Sequence, residues 1–201
     1  MATLDLQVGA SADDCRVTVA NTSSPPHTWT GISTTVGSYV AGELISTLYG
    51  AGARFLNVTV LGTDTIDVAY KTLTGLATRT GQVVRTNLYG EDADNAATFS
   101  TVDNFNARAQ TAAVVWDNIA SEAGNVEYNS PSLVTPITTI KNRAGWVSGN
   151  AIAIHWEDNG SDDEAVRSGQ SYDFDTTKAP KLHIEYTAGG GAAFVPTLII
   201  V

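Results

Sequence analysis

Cysteine is almost absent from this sequence, since Cys15 is the only one among 201 residues. A lone cysteine excludes an internal disulfide and any metal site built from several thiolates. The three histidines, His27, His155 and His183, do not fall at metal-ligand spacing with one another or with a cysteine or glutamate. The chain is therefore expected to be stabilised by packing rather than by cross-links.

Basic residues are also scarce. The chain has 11 Lys and Arg residues against 21 Asp and Glu residues, a formal net charge of −10, and no cluster of basic residues. A nucleic-acid-binding surface needs such a cluster, so we predict no nucleic-acid partner and an acidic, repulsive surface. The opening MATLDLQVGA lacks the basic and apolar regions of a secretory signal peptide, which predicts a protein made in the cytoplasm.

Catalytic fingerprints are missing as well. No Gly-x-Ser-x-Gly, Walker or dinucleotide-binding motif occurs, so we predict no enzymatic activity and no organic cofactor. Two acidic loops do supply carboxylate oxygens, which calcium prefers, although neither loop has the spacing of a twelve-residue EF-hand loop. A solvated loop is the simpler interpretation, and the candidate calcium ligands are Asp92, Asp94, Asp158 and Asp162.

What the sequence does contain is a series of short alternating segments separated by turn residues. Hydrophobic residues make up 43% of the chain, enough for one good-sized core. About nine or ten strands with almost no helical period predict an all-β fold, an antiparallel β-sandwich of the jelly-roll type. The clearest predicted strands are residues 3–8, 15–19, 36–41, 53–60, 65–73, 82–89, 113–116, 151–156 and 181–186.

One short helix is predicted near residues 136–143, where it would close one end of the β core. Thr135 is a suitable N-cap, Pro136 suits the first helical position, and Gly145 can adopt the left-handed conformation that ends a helix. The segment after the helix has the alternation expected of a half-buried strand. Its inward side chains would be Ile152, Ile154 and Trp156.

The chain changes in character after residue 187. We divide it into a β-sandwich domain, residues 1–187, and a glycine-rich joint with an apolar tail, residues 188–201. The tail is too short to cross a bilayer, so we predict no membrane partner. If about eight apolar side chains stayed in water, each would forgo about 1.5–3 kcal/mol of burial. We expect the tail to fold back on its own sandwich or, in the sharper hypothesis, to dock on a neighbouring subunit through Phe194, Val195, Leu198, Ile199, Ile200 and Val201.

Aromatic side chains give the sequence a way to bind sugars. Of the four tryptophans, Trp116 and Trp146 fall where the pattern places core residues. The candidate glycan contacts are therefore Trp29, Tyr39 and Tyr49.

Many small motifs, in order, resemble those of a bacterial and bacteriophage β-sandwich domain. That domain is related to the disaggregatase-type carbohydrate-binding modules, which have a galactose-binding-like jelly roll. The resemblance spans residues 36–187 and is specific for the fold more than for the function. The residues that carry it are Arg54-Phe55, Asn57-Val58, Ile66, Ala69-Tyr70, Gly90-Glu91-Asp92, Asp94-Asn95-Ala96, Thr98-Phe99, Val115-Trp116, Ser130-Pro131, Leu133, Asn142-Arg143-Ala144-Gly145-Trp146, Ser148-Gly149-Asn150, Ser171-Tyr172-Asp173 and Ala179-Pro180-Lys181-Leu182.

The resemblance implies a non-enzymatic structural protein of a bacteriophage virion, because single-domain members of this family without a signal occur among virion genes. It would be a head-decoration, head-fibre or tail-associated component that displays the jelly roll and is anchored through the C-terminal tail. Its expected partners are other virion proteins and further copies of itself. The alternative is a carbohydrate-binding module that binds cell-surface glycans, and the two are compatible.

Overall fold

The computed structural model describes residues 1–21 and 24–190, and these form two antiparallel sheets packed face to face. This confirms the prediction of an all-β sandwich with a short helix. The predicted tail, residues 192–201, lies outside the described residues. The strands are β1 (Ala2–Gln7), β2 (Asp14–Ala20), β3 (Gly31–Ser33), β4 (Ser38–Leu44), β5 (Thr47–Phe55), β6 (Thr65–Thr74), β7 (Arg85–Gly90), β8 (Val114–Asp117), β9 (Glu127–Asn129), β10 (Ile152–Asp158), β11 (Val166–Gln170) and β12 (Lys181–Thr187).

The smaller sheet has the order β1-β12-β6-β9, with every neighbouring pair antiparallel. Alternation along its strands decides which side chains enter the core, because successive residues point to opposite faces. On β12, Leu182 and Ile184 are fully buried, whereas Lys181, His183 and Glu185 are only partly covered. The outer face of this sheet is therefore polar and accessible.

The larger sheet has the order β11-β4-β5-β10-β7-β8, with β2 paired to β5 and β3 paired to β2. Strand β4 pairs with β11 up to Gly42 and with β5 from Gly42 onward. Gly42 has φ +117°, and a Cβ atom there would lie 2.2 Å from the main-chain oxygen of Ala165. Only glycine fits at the residue where β4 changes its partner strand.

The core between the sheets is built from aliphatic and aromatic side chains. Trp156 is fully buried, its ring stacks on Tyr39 at a centroid distance of 5.8 Å, and Trp116 packs against it at 5.4 Å. Lys71 on β6 is buried among these rings and is 0% exposed. The placement of Trp116 and Trp146 in the core confirms the sequence prediction for both.

A third layer covers the outer face of the larger sheet. The connection between β7 and β8 contains a short helix, α1 (Val102–Asn106), which the sequence did not predict. Phe99 and Phe105 from this connection pack with Ala151 and Ala153 into a second apolar cluster. Strand β10 is consequently buried on both faces, so the prediction of a half-buried strand is wrong.

The longer helix, α2 (Val134–Lys141), lies close to the predicted range. Its N-cap is Leu133 rather than Thr135, no side chain caps it, and Pro136 stands at the third helical position. Gly145 does not adopt a left-handed conformation. A Cβ atom there would lie 2.1 Å from a carboxylate oxygen of Asp94, so any larger residue would require that side chain to move. No helix in the described ranges is long and apolar enough to cross a membrane.

Candidate functional site

An open groove of about 480 Å³ runs over the outer face of the smaller sheet. Strands β1, β12, β6 and β9 lie side by side there, and each contributes outward side chains. We call this surface the sheet groove. The polar and aromatic residues that line it include Asp5, Gln7, Tyr70, Thr72, Glu127, Asn129, Lys181 and His183.

A stacked pair of rings forms the middle of the sheet groove. Tyr70 on β6 and His183 on β12 are cross-strand neighbours, with ring centroids 4.7 Å apart and planes inclined by 21°. His183 Nδ1 lies 2.7 Å from Asp5 Oδ1, and its Nε2 lies 3.2 Å from Glu185 Oε1. The hydrogen bond to Asp5 is the main reason that the pKa of His183 is raised above 6.5. A protonated ring donates to both carboxylates, so its orientation is fixed.

Hydrogen-bonding groups flank the ring pair toward β9. Lys181 Nζ donates to Glu127 Oε1 at 2.6 Å, and Thr72 Oγ1 donates to Asn129 Oδ1 at 2.7 Å. The amide nitrogen of Asn129 and the carboxylate of Glu127 retain capacity for further hydrogen bonds. A ring platform flanked by carboxylates and amides is able to hold a ligand with both an apolar face and hydroxyl groups.

The aromatic residues that the sequence suggested for glycan contact lie elsewhere. Trp29 is 3% exposed within the second apolar cluster, and Tyr39 is 1% exposed in the main core. Neither ring offers a face to solvent, so the prediction of glycan contact is corrected for these two. Tyr49 is half-buried below the guanidinium of Arg16, away from the sheet groove, and its role stays a prediction. The sequence reasoning missed Tyr70.

The four candidate calcium ligands already have partners. Arg143 donates to Asp92 and Asp94 at 2.5 and 2.6 Å, and Arg85 donates to Asp162 at 2.7 Å. Asp158 accepts main-chain N–H groups of the loop that follows it. Within residues 1–21 and 24–190, no group of three or more His, Cys, Asp or Glu side chains is arranged to hold a metal ion. Calcium would have to displace these partners, and its binding stays a prediction.

Two of the histidines belong to the buried contacts beneath the third layer. His155 is 0% exposed and packs on the Phe105 ring at 4.6 Å. Gln110 Nε2 donates to Glu157 Oε1 at 2.6 Å and lies 3.4 Å from His155 Nδ1. His27 Nε2 lies 3.2 Å from a main-chain oxygen of β10. The His155 and Gln110 contacts join the third layer to the sheet, and the His27 contact joins the β2–β3 connection to it.

Several of the motifs that carry the resemblance lie together at the α2 end of the sandwich. Besides the Arg143 contacts, Trp146 Nε1 donates to Val60 O at 3.0 Å, and Asn150 Nδ2 donates to Asp94 O at 3.0 Å. Asn95 Oδ1 accepts the main-chain N–H of Ala151 at 2.9 Å. Each of these groups holds one segment to another. No family model matches the chain, and no curated protein matches it either.

Proposed function

We propose that this chain is a non-enzymatic structural protein of a bacteriophage virion, a head-decoration, head-fibre or tail-associated component. The observation that carries the proposal is the structural use of several resemblance motifs around α2. Arg143 bridges two carboxylates of the β7–β8 connection, and Trp146 and Asn150 bind main-chain oxygens of other segments. Residues used in this way maintain a rigid displayed domain, which is what a virion surface component requires.

The partners in this proposal are other virion proteins and further copies of the chain. The apolar tail, residues 192–201, is proposed as the anchor because its composition calls for a covering surface. The net charge of −10 suits a displayed domain, because like charges oppose non-specific association with neighbouring copies.

Mass spectrometry of purified, disrupted particles tests the proposal directly. The chain is expected among the particle proteins, and its presence in host lysate but absence from particles would refute the assignment. A deletion of residues 192–201 should leave a folded monomer that no longer joins particles. A variant in which the same ten positions carry Gly and Ser controls for chain length and should fail in the same way. A truncated chain that unfolds, or that still assembles, contradicts the anchoring role.

The sheet groove favours a second, compatible function, which is glycan binding. We propose a neutral oligosaccharide as the ligand. The carboxylates of Asp5, Glu127 and Glu185 outnumber the Lys181 ammonium at this face, and His183 is already shared between two of them. Such a surface repels an acidic sugar and accepts hydrogen bonds from neutral hydroxyl groups, while the Tyr70 ring can contact the apolar face of a pyranose.

A glycan array of neutral oligosaccharides tests this second function. Tyr70→Ala should weaken the best binding signal about tenfold, because it removes the ring platform. Tyr89→Ala is the matched control, since Tyr89 is a half-buried strand tyrosine on the larger sheet. If no neutral glycan binds, or if both variants bind like the parent, the groove is not a glycan site.

A further inference from the structure

The arginines of this protein divide into two groups by their partners. Four of them lie within 4 Å of a carboxylate: Arg54, Arg85, Arg108 and Arg143. In the described part of the chain, the other three have no carboxylate within that distance. These are Arg16, Arg79 and Arg167.

All three of these arginines line one continuous depression. A cleft of about 300 Å³ is bordered by Arg79 and Arg167, and a neighbouring cleft of about 150 Å³ is bordered by Arg16 and Arg79. The two clefts share Leu44, Arg79 and Val166, so they adjoin. We call the combined surface the arginine groove. It shares no residue with the sheet groove.

The positive charge in the arginine groove is only partly neutralised. Arg167 is 4% exposed and donates to main-chain oxygens of Ile119 and Ala120, which orient its guanidinium without cancelling its charge. Burial lowers the pKa of Arg167, the nearby Glu122 carboxylate raises it, and the charge of Arg79 lowers it. The buried Glu122 carboxylate is turned toward Ser168, where it accepts from the main-chain N–H and from the hydroxyl group.

The remaining charges of the arginine groove leave an excess of cations. Arg79 is exposed. Arg16 Nη1 donates to Ser38 Oγ at 2.9 Å, and the Arg16 guanidinium lies 5.7 Å from the centre of the Tyr49 ring. Glu164 is the acidic side chain that lines the groove. Three arginines against two carboxylates, the lining Glu164 and the buried Glu122, leave a local excess of positive charge on a chain with a net charge of −10.

We propose that the arginine groove binds an anionic glycan, a sugar chain that carries carboxylate, sulfate or phosphate groups. Guanidinium groups recognise these oxyanions through paired hydrogen bonds. Thr78, Thr80 and Gln82 line the groove beside the arginines and supply partners for sugar hydroxyl groups. The half-buried Tyr49 ring offers a contact for a sugar face.

An acidic peptide fits this surface less well. A peptide that binds beside a sheet gains affinity by pairing with a free strand edge. The outer edge of β11 is already engaged, because Leu76 N donates to Ser168 O at 2.9 Å and Gly75 forms a bridge with Gly169. The main-chain groups that a peptide would need are therefore taken at this point.

Isothermal titration of the full chain tests the proposal. The probes are a heparin oligosaccharide for sulfate, an oligogalacturonate for carboxylate, a phosphorylated mannose oligosaccharide for phosphate, maltohexaose as the neutral sugar and a poly-glutamate peptide. At least one anionic sugar should bind more tightly than maltohexaose, and the strongest of the three identifies the acidic group. Added salt should weaken that binding.

Single charge removals then locate the site. Arg79→Gln and Arg16→Gln should each weaken binding of the best anionic sugar about tenfold, because each removes a charge-assisted hydrogen bond. Arg85→Gln is the matched control, since Arg85 is a partly exposed arginine outside the groove and its loss changes the net charge equally. Thermal melts check that each variant folds. The proposal is overturned if no anionic sugar binds, if poly-glutamate binds best, if Arg79→Gln binds normally, or if Arg85→Gln weakens binding as much.

Discussion

A lysine that pairs with no carboxylate among the described residues lies in the middle of the core and makes a sharp prediction about stability. Lys71 is 0% exposed, its Nζ donates to the Tyr39 hydroxyl at 3.1 Å, and it lies 4.7 and 4.9 Å from the Tyr39 and Trp156 ring centroids. Burial lowers the pKa of Lys71 well below 10.5. In the folded chain this amine is therefore neutral over a pH range in which the same amine is protonated in the unfolded chain.

The sign of the effect follows from the protons bound in each state. Between the lowered pKa of Lys71 and about 10.5, the unfolded chain binds one more proton than the folded chain. Stability then rises with pH by about 1.4 kcal/mol per unit from this group alone. Replacing Lys71 by Met removes the titrating group and keeps a flexible apolar side chain of similar length.

The assay is urea unfolding, followed by tryptophan fluorescence, for the parent chain and Lys71→Met at a series of pH values below about 10. Every other group titrates in both proteins, so the difference between them isolates Lys71. The free energy of unfolding of Lys71→Met should exceed that of the parent most at the lowest pH. This excess should shrink by about 1.4 kcal/mol for each unit by which the pH rises. Lys178→Met, at a lysine whose side chain is 39% exposed, should show no such trend.

The Tyr39 hydroxyl affects the free energy of unfolding of Lys71→Met at every pH but does not affect how that free energy changes with pH. Lys71→Met leaves that hydroxyl without its partner, which costs about 1–3 kcal/mol. The double variant Lys71→Met with Tyr39→Phe removes both polar groups and should be more stable than either single variant. If the parent and Lys71→Met differ by the same free energy at every pH, Lys71 does not change its protonation on folding and the reasoning is wrong.

Three further predictions concern single features of the fold. Burial raises the pKa of Asp14 to about 7. The free energy of unfolding of the parent chain should therefore fall by up to about 1.4 kcal/mol per pH unit as pH rises from about 4 to 7. Asp14→Asn should flatten this pH dependence, as measured by urea unfolding at each pH. Gly42→Ala should lose about 2 kcal/mol or more in urea unfolding, whereas Gly9→Ala, where a Cβ atom meets nothing within 4 Å, should unfold like the parent. EDTA should leave the melting temperature unchanged, since the four candidate calcium ligands have other partners, and a large drop would restore the calcium hypothesis.

The sequence predicts the strands that alternate, because alternation records burial on one face of a sheet. It misses β3 and β9, which are three residues each, and β11, whose sequence VRSGQ is polar although every residue is buried. Strand β11 is covered by its neighbours rather than by its own apolar side chains. Burial of this kind leaves no pattern in the strand itself.

The third layer was missed for a different reason. Its acidic start around Asp92 and Asp94 resembles a solvated loop, and Phe99 and Phe105 are too few to predict a covering segment. A signal does exist on the strand beneath, where Ala151 and Ala153 alternate with Ile152 and Ile154, so that both faces are apolar. Strands with two apolar faces are covered on both sides.

The sheet groove could not be predicted because it depends on which sheet face stays open. Tyr70 and His183 alternate with buried neighbours exactly as any outward residue does, and only the pairing of β6 with β12 brings them together. The same holds for the arginine groove. Arg16, Arg79 and Arg167 are far apart in sequence, so no local cluster of basic residues reveals them.

The pairing of β1 with β12 decides how the domain responds to force. Ala2 lies opposite Tyr186, and Gln7 lies opposite Lys181. The start of β1 and the end of β12 therefore lie at the same end of the ladder that joins the two strands. Tension applied through both would separate the hydrogen bonds one pair at a time, since the load falls on the outermost pair. Tension applied through β12 alone is resisted on both sides, because β12 also pairs with β6. The domain is therefore suited to hang from a single attachment and poorly suited to bear load as a link between two others.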